Sequence, residues 1–470
     1  MSAAQGFLFF LILLGILAAV LRLFSQRAPV VPYQVILAAA GILLGLVPGL
    51  PLPRVGPELL LLAFVPGLVF EASLSLDLKE LRRQALAIGL LATFGVFIGV
   101  VLLAAAAHYL FGMDWAASAV LAGIVATTDP VAVISVLRRL RVAPGLTAIL
   151  EGESLFNDGT GVAVFAAVLA SISAGAFSVG DAGGRFLLIT LGGTAVGLIA
   201  GTAAVLLLRR SEEAELEILV TLVTAYGAYL LADLLHFSGV VAVVVAGLEV
   251  ARYGHRSGRM KGTQLIGFWR LLAFVLNAVL FVLVGSRLPT PLLLRMLPLA
   301  AGLYLAMLLV RAVPVYGLLA ICDPRAAQIK WSWRVLTFWG GMRGALSVAL
   351  ALVVAATPGI DQRVSTVAYG MVVLSLLVQG GLMGPLAHAL GLSHPDTRPR
   401  RRLATGGQAR GHEGRVRAQD HQSASPADPA PKEGDGNRQH GQGQQPGHVG
   451  EARAHGGCAQ EQGRDHEPRQ

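Results

Sequence analysis

Glu151-Gly152-Glu153-Ser154-Leu155-Phe156-Asn157-Asp158-Gly159 lies inside an apolar run long enough to cross a bilayer. Two further polar knots share this setting: Thr127-Thr128-Asp129-Pro130 and Gly340-Gly341-Met342-Arg343-Gly344. A charged side chain at the bilayer centre costs about 2.5–3.5 kcal/mol on an insertion scale. Asp129, Glu151, Glu153, Asp158 and Arg343, left unpaired at that depth, would together cost on the order of 10 kcal/mol or more. Such residues pair with one another and mark an ion path.

The composition around the knots agrees with a membrane setting. Of 470 residues, 54% are hydrophobic and 14% charged, which predicts an all-α polytopic membrane protein. The net charge of +9 is explained by basic loops between spans and needs no nucleic-acid partner. Cys322 and Cys458 stand far apart, without metal-ligand spacing.

Thirteen apolar segments are expected, near 5–24, 30–49, 57–76, 84–110, 116–138, 147–174, 185–208, 214–235, 238–252, 265–286, 290–320, 334–357 and 365–391. The first is read as an uncleaved helix, because Arg22 and Arg27 follow its apolar run instead of preceding it. With the N-terminus outside, the inner loops hold seventeen Lys and Arg residues. The outer loops hold five: Arg54, Arg185, Arg287, Arg295 and Arg363. That asymmetry predicts thirteen crossings with the C-terminus in the cytoplasm. Residues 1–393 form the expected transmembrane domain. Beyond Leu403 the chain holds no Leu, Ile, Phe, Tyr, Trp or Met, so 394–470 reads as a disordered cytoplasmic tail.

Each knot has a distinct local logic. Pro130 lacks an N–H and disfavours helix in the residue before it, so segment five should break there, with Asp129 as N-cap and Pro130 as N1. Carbonyls near Thr127 and Thr128 would then be freed. Three glycines loosen segment twelve around Arg343. Segments five and twelve are an odd number of crossings apart and run oppositely, as in an inverted-repeat transporter whose two unwound helices cross at the midplane. On segment six, Ser154 and Asp158 share one helical face, and Glu153 and Asn157 the neighbouring one. On segment three, Pro66-Gly67 is expected to open the helix before Glu71.

Carboxylate and carbonyl oxygens suit hard cations. No Walker A motif and no nucleophile–base pair is present, so neither ATP drive nor an enzyme is indicated.

Phe70-Glu71-Ala72, Ala126 to Val133, Glu151 to Gly159 and Gly341 to Ser347 together resemble the signatures of monovalent cation:proton antiporters of the NhaP/NHE type. The resemblance covers roughly residues 5–393. It implies a homodimer whose mobile core moves like an elevator. Asp158 would bind either Na+ or a proton, and the Thr128 carbonyl, the Ser154 hydroxyl and Glu71 would complete the cation's oxygen shell. Asp129 and Asn157 would hold the crossing helices, and Glu153 would pair with Arg343. No cofactor is implied beyond the transported ions.

With Asn157, not a second aspartate, beside Asp158, sodium (or lithium) and proton compete for one charge. Electroneutral 1:1 exchange by alternating access across the cell (plasma or inner) membrane is therefore expected. Potassium/proton exchange, a cation channel and an ion sensor are the alternatives.

Overall fold

The computed structural model describes residues 3–27, 33–47, 57–129, 133–134, 137, 142–173, 179–210, 213–257, 263–287, 290–322, 329–357 and 360–392. Among them there is helix and no strand. The helices are α1 (Ala3–Arg27), α2 (Tyr33–Gly45), α3 (Pro57–Ser75), α4 (Leu78–Arg83), α5 (Ala85–Phe111), α6 (Trp115–Ile124) and α7 (Pro144–Ser173). There follow α8 (Val179–Leu208), α9 (Ala214–Leu234), α10 (Gly239–Ser257), α11 (Thr263–Arg287) and α12 (Thr290–Cys322). The last are α13 (Trp331–Trp339), α14 (Ala345–Ala356) and α15 (Gln362–Ala389). Seven helices among the described residues are long and apolar enough to cross a membrane, and shorter apolar helices such as α2, α6 and α14 accompany them. The expected tail at 394–470, and Pro130 with its place in a helix start, lie outside the described residues.

Local chemistry sets several boundaries. The Asp114 carboxylate accepts from the Ala116 N–H at 2.9 Å and starts α6. Gly112, at φ 67°, ends α5 in the left-handed conformation that favours glycine. The short segment expected at 238–252 continues to Ser257 as α10. Its basic end stays helical past the apolar run, with Arg252 3.5 Å from Glu249 one turn back.

Segment three departs from expectation. α3 runs unbroken through Pro66. A proline removes one helical hydrogen bond, and in a membrane a neighbouring group can take over the stranded carbonyl. Here the Tyr226 hydroxyl donates to the Ala63 carbonyl at 3.0 Å, one residue on from the Leu62 carbonyl that Pro66 leaves without its helical donor. The Leu276 side chain packs against Gly67 from α11.

Outward faces are apolar, as Ile12, Leu188, Ile199 and Leu309 show, which suits a lipid surround. Inside, α2 and α11 approach so closely that a Cβ on Gly41 would overlap the Val282 carbonyl oxygen, and one on Gly285 the Ala38 carbonyl oxygen. α8 and α10 meet the same way, with Gly193 and Gly197 against the Ser238 and Ala242 carbonyls. Small residues permit such backbone approach where the surrounding lipid supplies no hydrophobic drive.

Candidate functional site

α6 ends at Ile124, and the chain runs without regular structure through Thr127, Thr128 and Asp129. α13 ends at Trp339 and α14 begins at Ala345, with Gly341–Gly344 lacking regular structure between them. These two interruptions meet. The Asp129 N–H donates to the Met342 carbonyl at 2.8 Å. A Cβ on Gly344 would overlap the Asp129 carboxyl, so the close approach requires glycine there.

Each broken segment supplies the charge that the other's half-helix lacks. Gly344 caps α14 with no side chain, and the Asp129 carboxylate receives the Ala345 N–H at 3.4 Å from across the crossing. In return the Arg343 guanidinium donates to the Ala126 and Thr127 carbonyls, each at 3.1 Å, at the C-terminal end of α6. Its Nε–H reaches the Met307 sulfur at 3.2 Å, and its backbone N–H the Ser375 hydroxyl at 2.9 Å. The carbonyls expected to be freed by the break are therefore occupied. The Ser347 hydroxyl also donates to the Thr127 carbonyl, and that of Ser154 to the Thr128 carbonyl.

α7 supplies the acids. Asn157 holds Thr128 twice: its Oδ1 accepts the Thr128 N–H at 3.0 Å, and its amide donates to Thr128 Oγ1 at 2.9 Å. Glu153 is buried on the same face, and here the structure corrects the pairing that the resemblance implies. Its carboxylate is held by Arg311 of α12, whose Nη2 donates to both oxygens at 2.7 and 3.0 Å, and not by Arg343. The physical reason is that Arg343 is engaged by the broken-helix carbonyls, whereas Arg311 sits beside the carboxylate. Arg311 further donates to the Thr337 and Phe338 carbonyls at 3.1 and 3.2 Å, at the end of α13. The sequence carried a signal for it: a lone arginine within Leu308-Leu309-Val310-Arg311-Ala312-Val313.

Asp158, the next residue on α7, faces the other way. It lines a cavity of about 270 Å³ together with Glu71, Thr128, Asp129, Glu151 and Asn277. Among the described residues no Lys, Arg or His lines that cavity. The buried Asp158 Oδ1 has no hydrogen-bond partner. Glu71 accepts from the Ser75 hydroxyl at 2.8 Å. Ser154 does not line the cavity; it lies behind Thr128, its hydroxyl 2.9 Å from Thr128 Oγ1. Asn277, an uncharged amide on α11, was not singled out by the sequence.

A crossing of two interrupted helices, capped by each other's charges and backed by a buried ion pair, with a carboxyl oxygen lacking a partner among the described residues in an acidic cavity, defines a membrane carrier for cations. The family described as sodium/hydrogen exchanger, transmembrane, matches residues 10–389, and the chain belongs to that family. It is 36% identical over 383 residues to the low-affinity Na(+)/H(+) antiporter NhaS1 of Synechocystis sp., covering 79% of this chain and 72% of that one. It is 35% identical over 367 residues to the Na(+)/H(+) antiporter ApNhaP of Aphanothece halophytica, covering 77% and 70%. The structure of the sodium proton antiporter MjNhaP1 from Methanocaldococcus jannaschii at pH 8 superposes with a TM-score of 0.70 at 19% identity. That match spans 83% of this chain and 99% of the other, and speaks for the fold alone.

Proposed function

We propose that the protein exchanges sodium (or lithium) for protons, one for one and without net charge movement, by alternating access with both ions competing at Asp158. The observation that carries this reading is the Asp158 carboxyl oxygen with no hydrogen-bond partner among the described residues, in a cavity that Glu71, Asp129 and Glu151 also line. A bare carboxylate at that depth costs about 2.5–3.5 kcal/mol to carry across the barrier, whereas the proton-loaded or sodium-loaded form is neutral. Only loaded forms reorient, and exchange follows. The relatives named sodium/proton antiporters favour sodium over the potassium alternative. One compact acidic cluster, in place of a polar stripe along several helices, favours a carrier over a channel. A sensor would bind sodium without exchanging it.

Thr128 and Glu71 would add oxygens to the cation's shell. The Ser154 hydroxyl, which lies behind Thr128, would hold Thr128 in place from the far side. Asp129, Asn157, Glu153 and Arg343 would hold the frame. The protein would act as a homodimer in the cell membrane with its N-terminus outside. In that orientation Ser75 and Glu151 lie toward the inner ends of their spans, and the cavity opens to the cytoplasm.

Everted vesicles test the proposal. Sodium or lithium should collapse an imposed pH gradient, and Asp158→Asn should abolish the effect while the purified variant unfolds at the wild-type temperature. Exchange retained in Asp158→Asn would show that the site is wrongly assigned.

A further inference from the structure

α3 and α11 contribute a mostly apolar part of the cavity's lining: Phe64, Leu68, Val69, Ala273 and Leu280. Its polar side chains are Glu71, Ser75 and Asn277. Glu71 and Ser75 are bonded to each other. Asn277 donates its amide N–H to the Ala273 carbonyl one turn back, at 3.0 Å. That bond occupies an amide N–H and leaves the side-chain oxygen of this cavity-lining residue available as an acceptor. We infer that Asn277 is a specificity-determining residue that holds the cation at Asp158 through water, from the α11 lining of the cavity and from one membrane face only.

The inference rests on the sodium/proton reading above and adds a residue to it. A cavity of about 270 Å³ has room for several waters. A cation at Asp158 would keep part of its hydration toward that space. Water polarised by a cation donates strongly, and a neutral side-chain oxygen on the cavity's lining is a suitable acceptor. Neutrality matters, because an acid at this position would add a second charge to the site and change the ion count. A leucine there would offer the hydrated ion nothing.

One-sidedness follows from the packing. α11 is joined to α2 by the backbone contact at Gly41 and Gly285. Asp158 rides on α7. When alternating access closes this cavity and opens its counterpart, the line between Asn277 and the ion is lost. Asn277 should therefore set sodium affinity from the face on which this cavity opens, which in the proposed orientation is the cytoplasmic one.

The test uses the full chain in everted and right-side-out vesicles, with sodium half-saturation and maximal rate measured at each face. Asn277→Leu should raise half-saturation about tenfold, equivalent to about 1.4 kcal/mol, at the cytoplasmic face. The outer face should be unmoved, and the maximal rate should stay within about twofold of wild type. Asn277→Thr should restore most of the affinity, because its hydroxyl can bond to the same Ala273 carbonyl and still present oxygen. If the leucine variant does not reach the membrane, Asn277→Ala is read in the same way. A wild-type protein without sodium exchange would remove the parent reading. Wild-type exchange with half-saturation unchanged, or shifted equally at both faces, in the leucine or alanine variant would overturn the role of Asn277.

Discussion

Replacing Arg311 by methionine keeps most of the side-chain volume and removes the charge facing Glu153. The carboxylate loses bonds of 2.7 and 3.0 Å, and its side chain is only 4% exposed. Breaking a buried pair by removing one partner costs about 3–5 kcal/mol, because the remaining charge has neither partner nor water. The Thr337 and Phe338 carbonyls, at the end of α13 where no helical donor reaches them, also lose a cationic cap worth about 0.3–1 kcal/mol. The double variant Arg311→Met/Glu153→Leu removes both charges and retains only the cap loss, so it should recover about 3–5 kcal/mol relative to the single one. Thermal and denaturant unfolding of the purified proteins in detergent would measure the three stabilities. A single variant as stable as wild type, or a double variant no better than the single, would refute the view that this pair is held by mutual charge.

Gly344→Ala should destabilise the crossing by roughly 1–3 kcal/mol and stop exchange, since the new methyl group would meet the Asp129 carboxyl; the variant's melting midpoint and vesicle assay would check both. Asn157→Asp can still accept the Thr128 N–H but brings a second negative charge to the site, so exchange should become dependent on membrane potential in proteoliposomes clamped with potassium and valinomycin. Potential-independent exchange in that variant would contradict the one-charge account. Ser375→Ala removes the acceptor of the Arg343 N–H and should lower stability by about 1 kcal/mol with exchange retained, read by the same unfolding experiment.

The membrane class and the location of the crossing were legible because charge inside apolar runs has so few physical explanations. Asp129, Asp158 and Arg343 announced themselves by cost alone. Arg311 carried the same signal, yet a lone arginine among Leu and Val forms no knot, and its partner on a distant segment is a fact of packing. The assignment of Glu153 to Arg343 failed for that reason: two buried arginines compete for one carboxylate, and the choice depends on which of them the broken-helix carbonyls engage. Asn277 was silent because an uncharged amide barely lowers the hydropathy of its run. Pro66 misled in the opposite direction. Its sequence effect is local, whereas the Tyr226 hydroxyl that supports α3 beside it arrives from 163 residues away.

The glycines of the helix pairs have a mechanical consequence. Where Gly41 and Gly285, or Gly193 and Gly197, lie against carbonyl oxygens, no layer of side chains separates the two backbones. Sliding one helix along the other would drive a Cα into the next peptide, so each pair behaves as a stiff strut. Gly159, beside Asp158 on α7, instead faces a methyl group of Val241 on α10. A methyl group rotates and yields by a few tenths of an ångström, so that contact works as a bearing. Stiffness and slip are thus apportioned by what each glycine touches.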